Sequence, residues 1–294
     1  VRTPAIRSTV RAYKAVVGTS PGTGIDFTNI QDAINHVSSL GGGSILLKSG
    51  TYHPNNTFIN LESNVYLIGE DPEKTVIDTT GMILAANQAA LFGGGEQVSI
   101  VGTIVATNDS VTITGTSTQF VSHSIKEDDI IYINFHPYHV KAVASETSLT
   151  IKETYNGATT ASINYSIYRP FSNCLLENFS VISDNRATNL SGILFTWGDR
   201  ITMRKVKVRN FSSHGIATEG VFNFSYQDCE SSNNTGTGFE FHDEVAGDLL
   251  TNGVLINCLA WTNDNRGINV QGNSMVRVIG CTANGNNLGI RIAS

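Results

Sequence analysis

The chain has 294 residues, 40% hydrophobic and 15% charged, with a formal net charge of −6. Such a chain can bury a sizeable core, and its acidic balance argues against a nucleic-acid backbone or an anionic membrane as partner, since both need clustered Lys and Arg. No apolar run approaches the ~18–20 residues of a membrane span.

Taken in order, residues 1–24 read as an N-terminal arm or linker ending in GTSPGTG. Val1 is not a natural start, which fits removal of a signal or a larger N-terminal part. Residues 25–95 read as a cap followed by the first turns of a coiled sheet. In DFTNIQDAINHVSSLGGGSILLKSGTY, Thr28 and Gln31 have capping-box spacing, and Ile30, Ala33, Ile34 and Val37 recur at helical period. Gly41 to Gly43 stop that helix, and SILLKSGTY, NVYLIGE and TVIDTTG are short strands. Residues 96–168 change character. VSIVGTIVA, VTITGTS, DIIYINF, YHVKAVA, SLTIKETY and INYSIY alternate more strictly, with hairpin turns at ND and SETS, and predict a small inserted antiparallel β module.

Residues 169–294 read as the rungs of the coil, and 172–294 carry an internal repeat. One apolar column reads Phe179, Val206, Cys229, Cys258, Cys281, with spacings of 27, 23, 29 and 23; a second, two residues on, reads Val181, Val208, Ser231, Ala260, Ala283. A glycine column follows (Gly192, Gly215, Gly238, Gly267, Gly289), each glycine leading an apolar residue: Ile193, Ile216, Phe239, Ile268, Ile290. Asn234, Asn263 and Asn286 share a further position. Coils of this length with inward ladders and Asn at the bends predict an all-β parallel β-helix. Cysteines in an inward ladder are small buried hydrophobes rather than a disulfide framework, although adjacent rungs bring them near one another. The run MRKVKVRN, 203–210, reads as one strand with a wet basic face, or as a source of cations for a polyanion.

With these motifs in place, the chain resembles the right-handed parallel β-helix proteins of the pectin-lyase-like superfamily. FTNIQDAINHVSSLGGGSILLKSGTY looks like their N-terminal capping helix and first strand, and the rungs look most like the catalytic module of mannuronan C5-epimerases. The inserted segment, with TGTSTQF, DDIIYIN and SETSLTI, is similar to small β modules of phage virion proteins, tail spikes among them. The epimerase resemblance implies a Tyr-Gly-x-Asp-Pro-His segment and a Lys one rung earlier. Here that segment is HGIATE: His214 stands for the Tyr, Ala217 for the Asp and Glu219 for the His. The Lys position falls on Ile193, and a further Asp falls near His242. Every transferable catalytic position departs, so epimerase activity by the family's own mechanism is not expected.

The residues left on the second-strand face are Arg186, Asp199, His214, Glu219, Glu240, His242, Asp243 and Glu244. His214 or His242 is a candidate base, Glu219 or Asp243 a candidate acid, and Arg200 or Lys207 a candidate partner for a substrate carboxylate. The alternative is that these are solvated side chains on an exposed sheet. Trp197 and Trp261, with Phe195, Phe211 and Tyr226, are candidate stacking surfaces for sugar rings, or covers for loop ends. The acidic excursion HDEVAGDLLTNG could hold Ca2+, but its ligand spacing fits no known loop, so no metal or cofactor is expected. Three functions stay open. The first is an extracellular or virion-associated, tail-spike-like β-helix that binds surface polysaccharide, as a homotrimer or with its ends covered. The second is a polysaccharide lyase, hydrolase or epimerase with its own catalytic set. The third is a structural or adhesive β-helix. The final LGIRIAS lacks a capping element, which fits a fragment or an end covered by a partner.

Overall fold

The computed structural model describes residues 12–54, 57–82, 88–134, 136–184, 190–242, 252–272 and 275–293. The predicted helix spans Ile30–Ser39 and turns Ile30, Ala33, Ile34 and Val37 inward, covering one end of the core. Its N-cap is Asn29, not Thr28. The Asn29 side chain accepts from Gln31 N and Asp32 N at 2.8 and 3.2 Å. Gln31 then does something the capping-box reading did not foresee. Asn60 N donates to its Oε1 at 2.7 Å, and its Nε2 donates to Asn60 O at 3.1 Å. One side chain thereby satisfies backbone groups on an edge strand that would otherwise be open.

Three parallel sheets follow, and each rung contributes one strand to each. In the best-formed rungs the chain runs Phe171–Glu177, Ser180–Ile182, Leu190–Thr196, then Gly198–Arg204, Lys207–Arg209, Ile216–Glu219. The next rung is Phe224–Gln227, Glu230–Ser232, Phe239–His242. The columns read from the repeat are in register. Val181, Val208, Ser231, Ala260 and Ala283 pair in order in the second sheet. Ile193, Ile216, Phe239, Ile268 and Ile290 do so in the third. Phe179, Val206, Cys229 and Cys258 are buried, and all four cysteines are free thiols. Burial pushes the Cys174 thiol up to about 12, so it behaves as a small apolar side chain.

The asparagine column is a hydrogen-bonded ladder. Asn263 Oδ1 accepts from Asn234 Nδ2 at 2.8 Å and from Asn234 N at 3.1 Å, and Asn286 Oδ1 repeats both contacts to Asn263 at 2.9 Å. Buried bend amides thus find acceptors in the rung above. The glycine column exists for want of space beside this ladder. A Cβ on Gly215 would lie 1.9 Å from Ser231 Oγ and 2.6 Å from Asn234 Nδ2.

The corner from first to second sheet uses the left-handed region at Asn178, Lys205, Asp228 and Asn257, with φ of 60°, 51°, 52° and 52°. Asn and Asp tolerate that region; lysine rarely takes it. The basic run 203–210 is therefore not one strand: it bends at Lys205 between Gly198–Arg204 and Lys207–Arg209.

An eight-stranded antiparallel sheet, from Glu96–Val98 to Tyr165–Arg169, stands between the third-sheet strand Gln88–Gly94 and the first-sheet strand Phe171–Glu177. It has its own core, including Ile113, Phe120, Ile131, Leu149 and Ile167. It docks through Ile130, Tyr132 and Tyr168 onto Phe222 and Trp197 of the β-helix. No helix is long and apolar enough to cross a membrane among the described residues.

Candidate functional site

The outward face of the third sheet gathers four of the sequence candidates. Because strand side chains alternate, inward Phe239 and Phe241 force Glu240 and His242 outward, and inward Ile216 and Thr218 do the same for Ala217 and Glu219. Two outward rows result. One runs Phe92, Leu194, Ala217, Glu240, Asn269, Arg291. The other runs Gly94, Thr196, Glu219, His242.

In the second row, His242 Nε2 lies 3.1 Å from Glu219 Oε1, and both side chains are partly exposed. In the first row, Glu240 is only 4% exposed. Its Oε1 accepts from Asn269 Nδ2 at 2.5 Å, while Oε2 has no hydrogen-bond donor among the described residues and sits 4.0 Å from His214 Nδ1. His214 Nδ1 accepts the Thr237 backbone N–H at 3.1 Å. That bond places the ring proton on Nε2 and favours the neutral imidazole. Burial lowers the His214 pKa, against the pull of Glu240 and Glu219 and with the push of His242 and Arg266. The base role expected for His214 therefore does not fit at Nδ1, whose lone pair is in use. Glu219 and His242 are the two titratable side chains of this face in direct contact.

The other candidates lie elsewhere. Lys207 is on the second sheet, bound to Glu73 at 2.5 Å and to Glu230 at 3.4 Å, so its charge is already matched. Trp261 is on the same sheet, 37% exposed, and donates from Nε1 to Glu230 Oε1 at 3.1 Å. Trp197 and Arg200 sit where the inserted sheet docks. The Trp197 ring stacks edge-on to Tyr168 at 3.8 Å, and Arg200 Nη1 lies 3.0 Å from Asp199 Oδ2. Asp199 does not join the third-sheet face. It is buried at the junction, held by Asn223 Nδ2 at 2.8 Å and facing His139 Nε2 at 3.9 Å. Phe195, Phe211 and Tyr226 are core residues and offer no stacking surface. Arg186, Asp243 and Glu244 fall outside the described residues. Among the described residues, no cluster of three or more His, Cys, Asp or Glu is placed to hold a metal ion.

The sequence reading passed over Phe58 and Phe92. These two line an apolar hollow with Gln88, Ala89 and Leu194 on the same third-sheet face. The alternation around Phe92 in QAALFGG, with Leu91 and Gly93 inward, is the signal that points to it.

The family model described as "Right handed beta helix region" matches residues 111–283. No curated protein sequence matches the chain. Among solved structures, the tailspike gp61 of Pseudomonas phage phi297 is similar, with a TM-score of 0.57, 14% identity, and coverage of 90% of this chain and 51% of that one. The tailspike protein gp49 of Pseudomonas phage LKA1 gives 0.54, 16%, 90% and 52%. The A-module of the Azotobacter vinelandii mannuronan C-5 epimerase AlgE4 gives 0.50, 17%, 88% and 53%. The chain thus spans about half the length of each of these structures.

Proposed function

Given that the chain belongs to the right-handed β-helix family, we propose that it binds an extracellular polysaccharide lengthwise along the outward face of the third sheet. The observation that carries this is the partly exposed Glu219–His242 contact, 3.1 Å, set on a continuous sheet face. A parallel sheet offers a repeat of ~4.8 Å along its axis, suited to an extended polymer. Two similar structures are phage tailspikes and a third is a mannuronan C-5 epimerase, which supports a virion-associated or extracellular, tail-spike-like setting; a homotrimeric assembly is part of the same proposal.

The same contact favours a second reading, in which the polysaccharide is processed. A carboxylate beside an imidazole supplies both partners for proton transfer, as hydrolysis, β-elimination or C5 epimerisation each requires. The experiment is a panel of bacterial surface polysaccharides and uronans, read by retention on the protein, by new reducing ends and by the absorbance of unsaturated uronate. Retention without new ends or absorbance assigns binding alone. Turnover that survives both Glu219→Gln and His242→Ala overturns processing at this pair.

A further inference from the structure

We propose that Phe92 and Phe58 form a separate sugar-stacking subsite on the third sheet, which takes the apolar face of a pyranose ring; it rests on the reading that a glycan lies along that sheet.

The site is built. Phe92 points outward between buried Leu91 and Gly93, and its ring lies over the glycine two residues on. A Cβ on Gly94 would meet Phe92 Cζ at 2.4 Å and Thr196 Oγ1 at 2.9 Å, so glycine at 94 is what lets the ring lie against the sheet. Phe58, 38% exposed, stands against it at 86° with centroids 6.3 Å apart. Floor and wall line an open hollow of about 230 Å³ together with Leu194, Ala89 and Gln88. An aromatic floor matches the C–H face of a pyranose and leaves its hydroxyls to the open side.

Its position fits one ligand shared with Glu219 and His242. The strand of Phe92 is two strands from that of Glu219 and three from that of His242. At ~4.8 Å per strand, the subsite lies about 10–14 Å away along the helix axis. A glycan gripped at Phe92 therefore presents a different sugar to the Glu219–His242 pair. The apolar floor favours 6-deoxy or N-acetyl sugars over unsubstituted hexoses, because the first carries CH3 in place of CH2OH and the second adds an acetyl methyl.

Saturation-transfer NMR on the whole chain tests this with methyl α-L-rhamnopyranoside, N-acetylglucosamine and methyl β-D-glucopyranoside as probes. The first two are expected to bind and to outrank the third. Phe92→Ala should weaken them about tenfold, the loss of one aromatic contact. Gly94→Ala, which keeps both phenylalanines and displaces the ring, should do the same, and Lys207→Ala on the second sheet should leave binding unchanged. No binding of any probe, or binding indifferent to both Phe92→Ala and Gly94→Ala, overturns the subsite. Polysaccharide retention lost in His242→Ala while glycoside binding ignores Phe92 would sink the subsite and keep the function. Glycoside binding that depends on Phe92, with polysaccharide retention indifferent to third-sheet substitutions, would sink the function instead.

Discussion

The His214 imidazole is held neutral by its surroundings. Burial lowers its pKa below the ordinary ~6.5, and the Thr237 N–H occupies the nitrogen that would take a proton. As pH falls, the unfolded chain protonates this ring first. The stability tied to the neutral ring is therefore full above about pH 6.5 and is lost as pH falls below it. Denaturant titrations should show His214→Gln narrowing the stability difference between about pH 7.5 and pH 5.5; an unchanged difference contradicts the neutral ring. Glu219 and His242 are partly exposed, so Glu219→Gln should change stability by less than about 1 kcal/mol. If the pair transfers protons, the same change should lower turnover by about 10²–10⁴-fold. The sequence placed His214 and Glu219 within one short segment, HGIATE, which ends in the strand Ile216–Glu219. It did not show which partners they take. Glu240 and Thr237 come from the next rung, 23 or more residues on, and only the register joins them.

At the scale of the element, the inward ladders were legible because stacking repeats the same demand in every rung. Ser231, Asn234 and Gly238 follow Cys229 at offsets that Ala260, Asn263 and Gly267 repeat after Cys258, and the structure stacks these positions as the columns predict. The corners were not legible where a rung breaks its own habit. Lys205 occupies the left-handed position held by Asn or Asp in neighbouring rungs, and its side chain hid the bend inside an alternating run. The outward rows carry no repeat, so Phe92 and the ion-paired Lys207 could not be told apart as ligand-facing or structural. The ladder gives a firm expectation. Asn263→Ala removes the acceptor for Asn234 N and Nδ2 and the donor to Ser231 O, leaving buried polar groups without partners. Urea unfolding should report a loss of about 2–4 kcal/mol. A loss under about 0.5 kcal/mol would show that the bend amides find other partners.

For the whole molecule, the inserted antiparallel sheet and the β-helix have separate cores joined through a small aromatic junction. Its chain enters and leaves side by side: a Cβ on Gly95 would lie 2.6 Å from Arg169 O. We therefore expect replacement of residues 97–168 by a short Gly-Ser linker to leave the β-helix cooperatively folded, with Trp197 and Phe222 newly exposed. Circular dichroism and tryptophan fluorescence would register this. Loss of all β structure would show that the inserted sheet is needed to fold the rungs. The two faces of the β-helix also differ in kind. The second sheet carries Lys207, Glu230, Glu73 and Trp261 bound to one another, whereas the third carries the Glu219–His242 pair and the Phe58–Phe92 hollow. The most direct test compares the two faces with one retained polysaccharide. Its affinity is measured for wild type, Leu194→Asp and His242→Ala on the third sheet, and Lys207→Ala and Trp261→Ala on the second. The account predicts about tenfold or greater weakening in the third-sheet variants and wild-type affinity in the others. Weakening confined to Lys207→Ala and Trp261→Ala would place the glycan on the second sheet and contradict it.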